Sequence, residues 1–211
     1  MPPAKKTTAK KAPAKKATAK SGAYPVSLTV DYPDRELNRL TTAFRLILAI
    51  PILIVSAVLS NSVGVLFLPP LLLILFRQKY PQWWFDWNLM ILRFLTRIQT
   101  YAFLLRDEYP STEEEQAVHL DIAYPDVPRD LNRWLPLVKW LLAIPHLVVL
   151  VFLHLAVVVA TIIAWFAILF TGRYPRGLFD FVVGVYRWTV RVTAYAFMLT
   201  TDRYPPFSLQ P

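Results

Sequence analysis

The side chains best suited to chemistry are basic, and four of them recur in register: Arg93 and Arg97, then Arg187 and Arg191. Asp86, Arg93 and Arg97 fall on one helical face by their spacing of seven and four, as do Asp180, Arg187 and Arg191. A guanidinium fork matches the oxygens of a phosphate, so each set can grip a lipid headgroup. The same charges can instead pair with one another, or work with Arg35, Arg39, Arg129 and Arg133 to fix a helix against a sheet. Both readings stand at this stage.

Catalytic patterns are missing. His119, His146 and His154 have no spacing that builds a shared metal site, and the hydroxyls of Ser60 and Ser62 have no base beside them. Five glycines form no phosphate loop, and the absence of cysteine removes thiol chemistry. The expectation is therefore a non-enzymatic protein without catalytic, metal or cofactor-binding residues. His146 and His154 lie in an apolar stretch, where an ionisable group is a candidate proton relay or ligand by default. Their counterparts in the rest of the chain, Ile52 and Ser60, do not carry the group.

A second basic set, Lys5, Lys6, Lys10, Lys11, Lys15, Lys16 and Lys20, occupies residues 1–22 among Ala, Thr and Pro, with no acid. These seven lysines supply most of the net charge of +9, and the segment has nothing to bury, so a disordered tail is expected. Its composition resembles the lysine-rich tails of linker histones and some bacterial nucleoid proteins. Tethered beside a bilayer, it favours anionic headgroups at about 1 kcal/mol per lysine; contact with DNA is the second possibility.

What must position these groups is a duplication with an offset of about 94 residues. Residues 23–110 and 117–211 are two copies, joined by the acidic linker 111–116. Leu48-Ala49-Ile50-Pro51 returns as Leu142-Ala143-Ile144-Pro145, and Arg93, Arg97 and Tyr101-Ala102-Phe103 as Arg187, Arg191 and Tyr195-Ala196-Phe197. Each copy contains an apolar block of about thirty residues, Leu46 to Phe76 and Trp140 to Phe170, where about 20 suffice for one crossing. Basic residues flank both ends of both blocks, which favours keeping both ends in the cytoplasm. Two helical hairpins, about four transmembrane helices, satisfy that, and Ser60-Asn61-Ser62-Val63-Gly64 supplies a turn in the first. Pro51 and Pro145 predict packing kinks.

Outside the blocks, Val26, Leu28 and Val30 alternate with polar residues, as do Val118, Leu120 and Ile122, which predicts an opening strand in each copy. The runs Tyr101 to Leu105 and Tyr195 to Leu199 predict closing strands, giving a four-stranded cytoplasmic sheet. Gln82 to Thr100 and Arg176 to Thr193 read as interfacial amphipathic helices. Seven Tyr-Pro dipeptides, at Tyr24, Tyr32, Tyr80, Tyr109, Tyr124, Tyr174 and Tyr204, punctuate these elements.

Arg-x-x-Asn-Arg, Leu-Ala-Ile-Pro-His, Arg-Tyr-Pro, Arg-Trp-x-x-Arg-Val-x-Ala-Tyr and Thr-Asp-Arg-Tyr-Pro-Pro-Phe are all present in the second copy. This pattern resembles the bacterial membrane-protein family known as domain of unknown function 4389, over residues 24 to 208. The first copy departs from it at Ile52 and at Arg106-Asp107-Glu108. The resemblance implies an integral membrane protein and carries over no activity. The combined expectation is an α+β integral membrane protein of the bacterial inner membrane, multi-pass, with both termini cytoplasmic. It would act as a scaffold or adaptor that organises anionic lipid or partner proteins. The alternative is a transporter or channel component of two like-oriented repeats.

Overall fold

The structure, a computed structural model, describes residues 24–211, with only the backbone over 61–66. The lysine tail, Lys5 to Lys20, lies outside the described residues. The opening strands form as their alternation predicts: β1 is Val26–Val30 and β2 is Val118–Ile122. Among the described residues they are the only strands, and they pair antiparallel with each other. Leu28 faces Leu120, Val26 faces Ile122 and Val30 faces Val118. Because Leu28 and Leu120 are equivalent positions of the two copies, an approximate twofold axis passes between them.

The apolar blocks do not fold back on themselves. In the first copy, α1 (Arg39–Ala43) leads into α2 (Arg45–Leu66) and α3 (Leu68–Arg77). The expected turn at Ser60 to Gly64 is helical throughout. The break comes instead at Phe67, because Pro69 and Pro70 have no N–H to return to the preceding turn. Phe67 keeps right-handed helical angles (φ −69°, ψ −35°), so the chain does not reverse there. In the second copy, the short α5 (Val127–Asp130) and α6 (Pro136–Leu142) precede α7 (Ile144–Thr171), an uninterrupted helix of 28 residues. Pro145 sits in its first turn, where proline costs no hydrogen bond, whereas Pro51 lies inside α2. The expectation of four transmembrane helices is thus corrected. Among the described residues, α7 alone is long and apolar enough to cross a membrane, and the described apolar stretches of the first copy, 45–60 and 68–77, are shorter.

The reversal occurs at the end of each block, where Gln78 (φ 47°) and Gly172 (φ 73°) take the left-handed conformation that caps a helix. A Tyr-Pro follows each cap. Then α4 (Gln82–Ala102) and α8 (Arg176–Ala196) run back along their blocks. Lys139 meets Tyr195, His146 meets Trp188 and His154 meets Tyr186, so α7 and α8 are antiparallel. The first copy repeats this, with Arg45 at the start of α2 over the ring of Tyr101 at the end of α4. Each copy is therefore a hairpin whose second limb is the amphipathic helix.

The closing strands are not formed. Leu104 (φ 64°) and Leu199 (φ 57°) turn the chain out of α4 and α8, with Leu105 N–H donating to Thr100 O at 3.0 Å and Thr200 N–H to Ala194 O at 3.0 Å. The apolar run is the last helical turn and its cap, which buries Leu104, Leu105 and Leu199.

The halves interlock. β1 of the first copy packs on α8 of the second, and β2 packs on α4. The start of the first block lies at the end of α7, where Leu37 N–H donates to Gly172 O at 2.8 Å and Trp165 Nε1–H to Thr42 O at 3.0 Å. At the other end α3 meets α6. The two long apolar rods therefore run antiparallel. Thirteen residues of α8 are buried, so it is an internal helix, whereas α4 leaves Trp83, Trp87 and Met90 exposed.

Candidate functional site

The four recurrent arginines hold main-chain carbonyls. Arg93 Nε–H donates to Leu120 O at 2.8 Å, and its equivalent Arg187 donates to Leu28 O at 3.1 Å. Each copy thus clasps the middle of the other copy's strand. Arg187 also reaches Leu209 O (2.8 Å), and Arg191 reaches Ser208 O (3.3 Å) and Gln210 O (2.8 Å), pinning the C-terminal segment to α8. Arg93 pairs with Asp121 at 2.8 Å, and Arg97 bonds Ser111 O at 2.5 Å. Burial pushes the pKa of Arg187 and of Arg191 down; Asp180 opposes this at Arg187 and Tyr24 at Arg191, where the Arg187 charge adds to it. The geometry supports the fixing role, and it differs from expectation in the partner: the bonds run to the other copy's strand, to the linker and to the C-terminal segment.

A second repeated arrangement escaped the sequence reading. Arg45 and Lys139, both buried, face Asp107 and Asp202 at the ends of their own copies; the Lys139–Asp202 ion pair is 2.7 Å. Arg45 also donates to Arg106 O, and Lys139 to Thr201 O at 2.8 Å. Both cations lie over tyrosine rings, Arg45 at 4.2 Å from the Tyr101 centroid and Lys139 at 5.2 Å from that of Tyr195. The second oxygen of each carboxylate accepts from the backbone N–H of Asn38 or Asn132. Burial lowers the Lys139 pKa, while the hydrogen bond and charge of Asp202 raise it; the net direction is down. The available signal was that an aspartate recurs seven residues or fewer after the Tyr-Ala-Phe motif in both copies, opposite the one basic residue that opens each block.

Tyrosine hydroxyls add hooks across the copies. Tyr32 donates to Tyr174 O at 2.5 Å, and its equivalent Tyr124 donates to Tyr80 O. Their rings stand edge-on to Phe179 at 5.0 Å and Phe85 at 5.2 Å. Tyr80 donates to Met198 O at 2.9 Å, and Tyr24 to Arg203 O at 3.1 Å. Burial pushes the Tyr174 hydroxyl up to about 12, with the neighbouring Thr161 hydroxyl opposing it. Tyr-Pro is therefore both punctuation and latch.

The histidines have separate surroundings. His146 Nδ1 accepts from Trp188 Nε1–H at 3.0 Å, and its ring stacks on Phe207 at 3.9 Å. An Nδ1 that accepts identifies a neutral ring. His154 bonds Leu150 O at 2.7 Å, and His119 faces Asp31 at 3.4 Å on the ribbon's outer side. No set of three His, Asp or Glu side chains converges among the described residues.

The largest unfilled demand of the molecule is apolar. Along α7 the residues His146, Leu150, Val157, Ala160, Ala164 and Ile168 face inward, and only 22% of its most apolar stretch is buried. Val151, Phe152, Leu155, Val159 and Phe166 are exposed, and Phe170 is 78% exposed. On α2, Leu46 is 81% exposed, beside exposed Ile47, Ile50 and Ile54. An apolar cavity of about 340 Å³ opens between the copies, walled by Leu46, Leu104, Ile162, Trp165 and Phe166. Four exposed tryptophans, Trp83, Trp87, Trp134 and Trp140, belong to α4 and to the α6 region.

Fold and site together define a class: a duplicated, helix-rich protein whose halves exchange strands in a central two-stranded ribbon and turn one apolar face outward. A family model described as Domain of unknown function (DUF4389) matches residues 39–112 and again 134–208. The chain belongs to that family, with two copies of its domain. No curated protein and no solved structure matches it. Both opening strands, β1 and β2, fall outside the two matched segments.

Proposed function

We propose that this protein is a membrane-attached, non-enzymatic scaffold of the bacterial inner membrane, whose ribbon side and basic tail face the cytoplasm. The observation that carries this reading is the exposed apolar face of α2 and α7. A contiguous apolar surface of that extent marks a lipid or protein interface, and a helix with all but one stripe exposed is unlike the core helix of a water-soluble domain. The exposed tryptophans suit the headgroup boundary. The charged groups inside the fold are committed to carbonyls and to each other, which supports a rigid platform. The platform would organise anionic lipid or partner proteins through the lysine tail and the exposed basic residues Arg39, Arg129 and Arg133.

Flotation of the purified full chain with vesicles tests this. Binding to neutral phosphatidylcholine vesicles is expected, with an increase when phosphatidylglycerol is added. Deleting residues 1–22 should reduce that increase and leave the neutral binding. A chain that stays at the bottom of the gradient with both vesicle types overturns the reading.

A further inference from the structure

The pseudo-symmetry decides how such a face can meet lipid. Arg187 grips Leu28 from the middle of α8, and Arg93 grips Leu120 from the middle of α4. His154, near the middle of α7, lies against Tyr186, one residue from Arg187. The ribbon is therefore level with the midpoint of the long helices. Its outward side is polar: Ser27, Thr29, Asp31, His119 and Asp121 are all exposed. If α7 stood along the bilayer normal, that row would sit at mid-depth, where charged and unsatisfied polar groups are excluded.

We infer that α2, α3 and α7 lie flat in one leaflet, as an antiparallel raft, with the twofold axis along the membrane normal and the ribbon facing water. This rests on the proposed membrane attachment and specifies its geometry. Three further features agree. A straight helix of 28 residues is about 42 Å long, well beyond a hydrocarbon core of about 30 Å. The inward stripe of α7 faces α8, which carries β1, so the exposed apolar stripe points away from the ribbon. Basic residues gather at both ends of the rods, Arg77, Lys79 and Arg133 at one and Arg39 and Arg173 at the other. In a flat raft both groups reach the same headgroups, and no cation is carried across.

The chain contains no cysteine, so single-cysteine spin labels report depth directly. Leu147→Cys, Val158→Cys and Phe170→Cys place labels at the start, middle and end of the exposed stripe of α7, all at positions whose exposure tolerates a label. Thr29→Cys places one on the ribbon. The protein would be reconstituted in vesicles of phosphatidylcholine and phosphatidylglycerol, with oxygen and a water-soluble nickel chelate as relaxants. Similar shallow depths at all three α7 positions are expected, with Thr29→Cys relaxed mainly by the chelate. A Val158 label at the bilayer centre, flanked by shallow labels at 147 and 170, overturns the raft while leaving membrane attachment intact. Labelled protein that does not float with the vesicles overturns both.

Discussion

Leu28 of one copy stands directly opposite Leu120 of the other, its own equivalent, in the antiparallel ribbon. A strand that pairs with its own repeat at the equivalent residue ties the two copies together at their common axis. Each strand buries its apolar side on the other copy's helix, and the arginine of that helix takes a carbonyl from the middle of the strand. The two copies of the chain thus exchange strands across the approximate twofold axis.

Replacing Arg187 with Gln removes the bonds to Leu28 O and Leu209 O. Hydrogen bonds from a charged group contribute about 1.5–3 kcal/mol each, so a loss of that order is expected in denaturant titration. Arg93→Gln should cost less, because its second partner is the solvent-exposed carboxylate of Asp121. Co-purified anionic lipid should be unchanged in both variants; its loss at full stability would return these residues to a headgroup role.

Asp202→Ala leaves Lys139 buried without its counter-ion and is expected to destabilise by about 3–5 kcal/mol. The double variant Lys139→Met, Asp202→Leu should recover most of that loss, since a well-packed apolar pair replaces two desolvated charges. A thermal-shift series in detergent over the two single variants and the double variant reads the coupling.

Tyr124→Phe removes the latch to Tyr80 O without changing the packing against Phe85. About 1 kcal/mol is expected, the net value of one hydrogen bond. The same substitution at Tyr32 should behave alike, because it sits at the equivalent position.

Glu108 links stability to pH. Burial alone raises its pKa, but the hydrogen bond from Arg106, the Ala117 N–H and the nearby Arg106 and Arg35 charges outweigh burial and hold it below the usual carboxylate range. The folded state then binds its proton less readily than the unfolded state. The stabilisation is fully present above the unfolded value, near 4.5, and is lost as pH falls through the lower folded one. Unfolding titrations across that range should show a smaller acid loss for Glu108→Gln than for the parent chain.

The sequence alone determined the duplication, the positions of the opening strands, the amphipathic helices and the apolar blocks, because each is a local pattern of spacing that recurs in two copies. It also brought Arg93 and Arg187 forward as equivalent residues. It did not determine where the hairpin closes. Ser60 to Gly64 looks like a turn, yet a helix satisfies its own backbone bonds there, while the reversal needs left-handed residues at Gln78 and Gly172, of which only the glycine is a residue type that favours that conformation. Only tertiary structure decided that β1 packs on the other copy's helix and that Asp107 and Asp202 neutralise buried cations. These outcomes depend on contacts between residues far apart in the chain, and a period of two or of 3.6 carries no record of its partner.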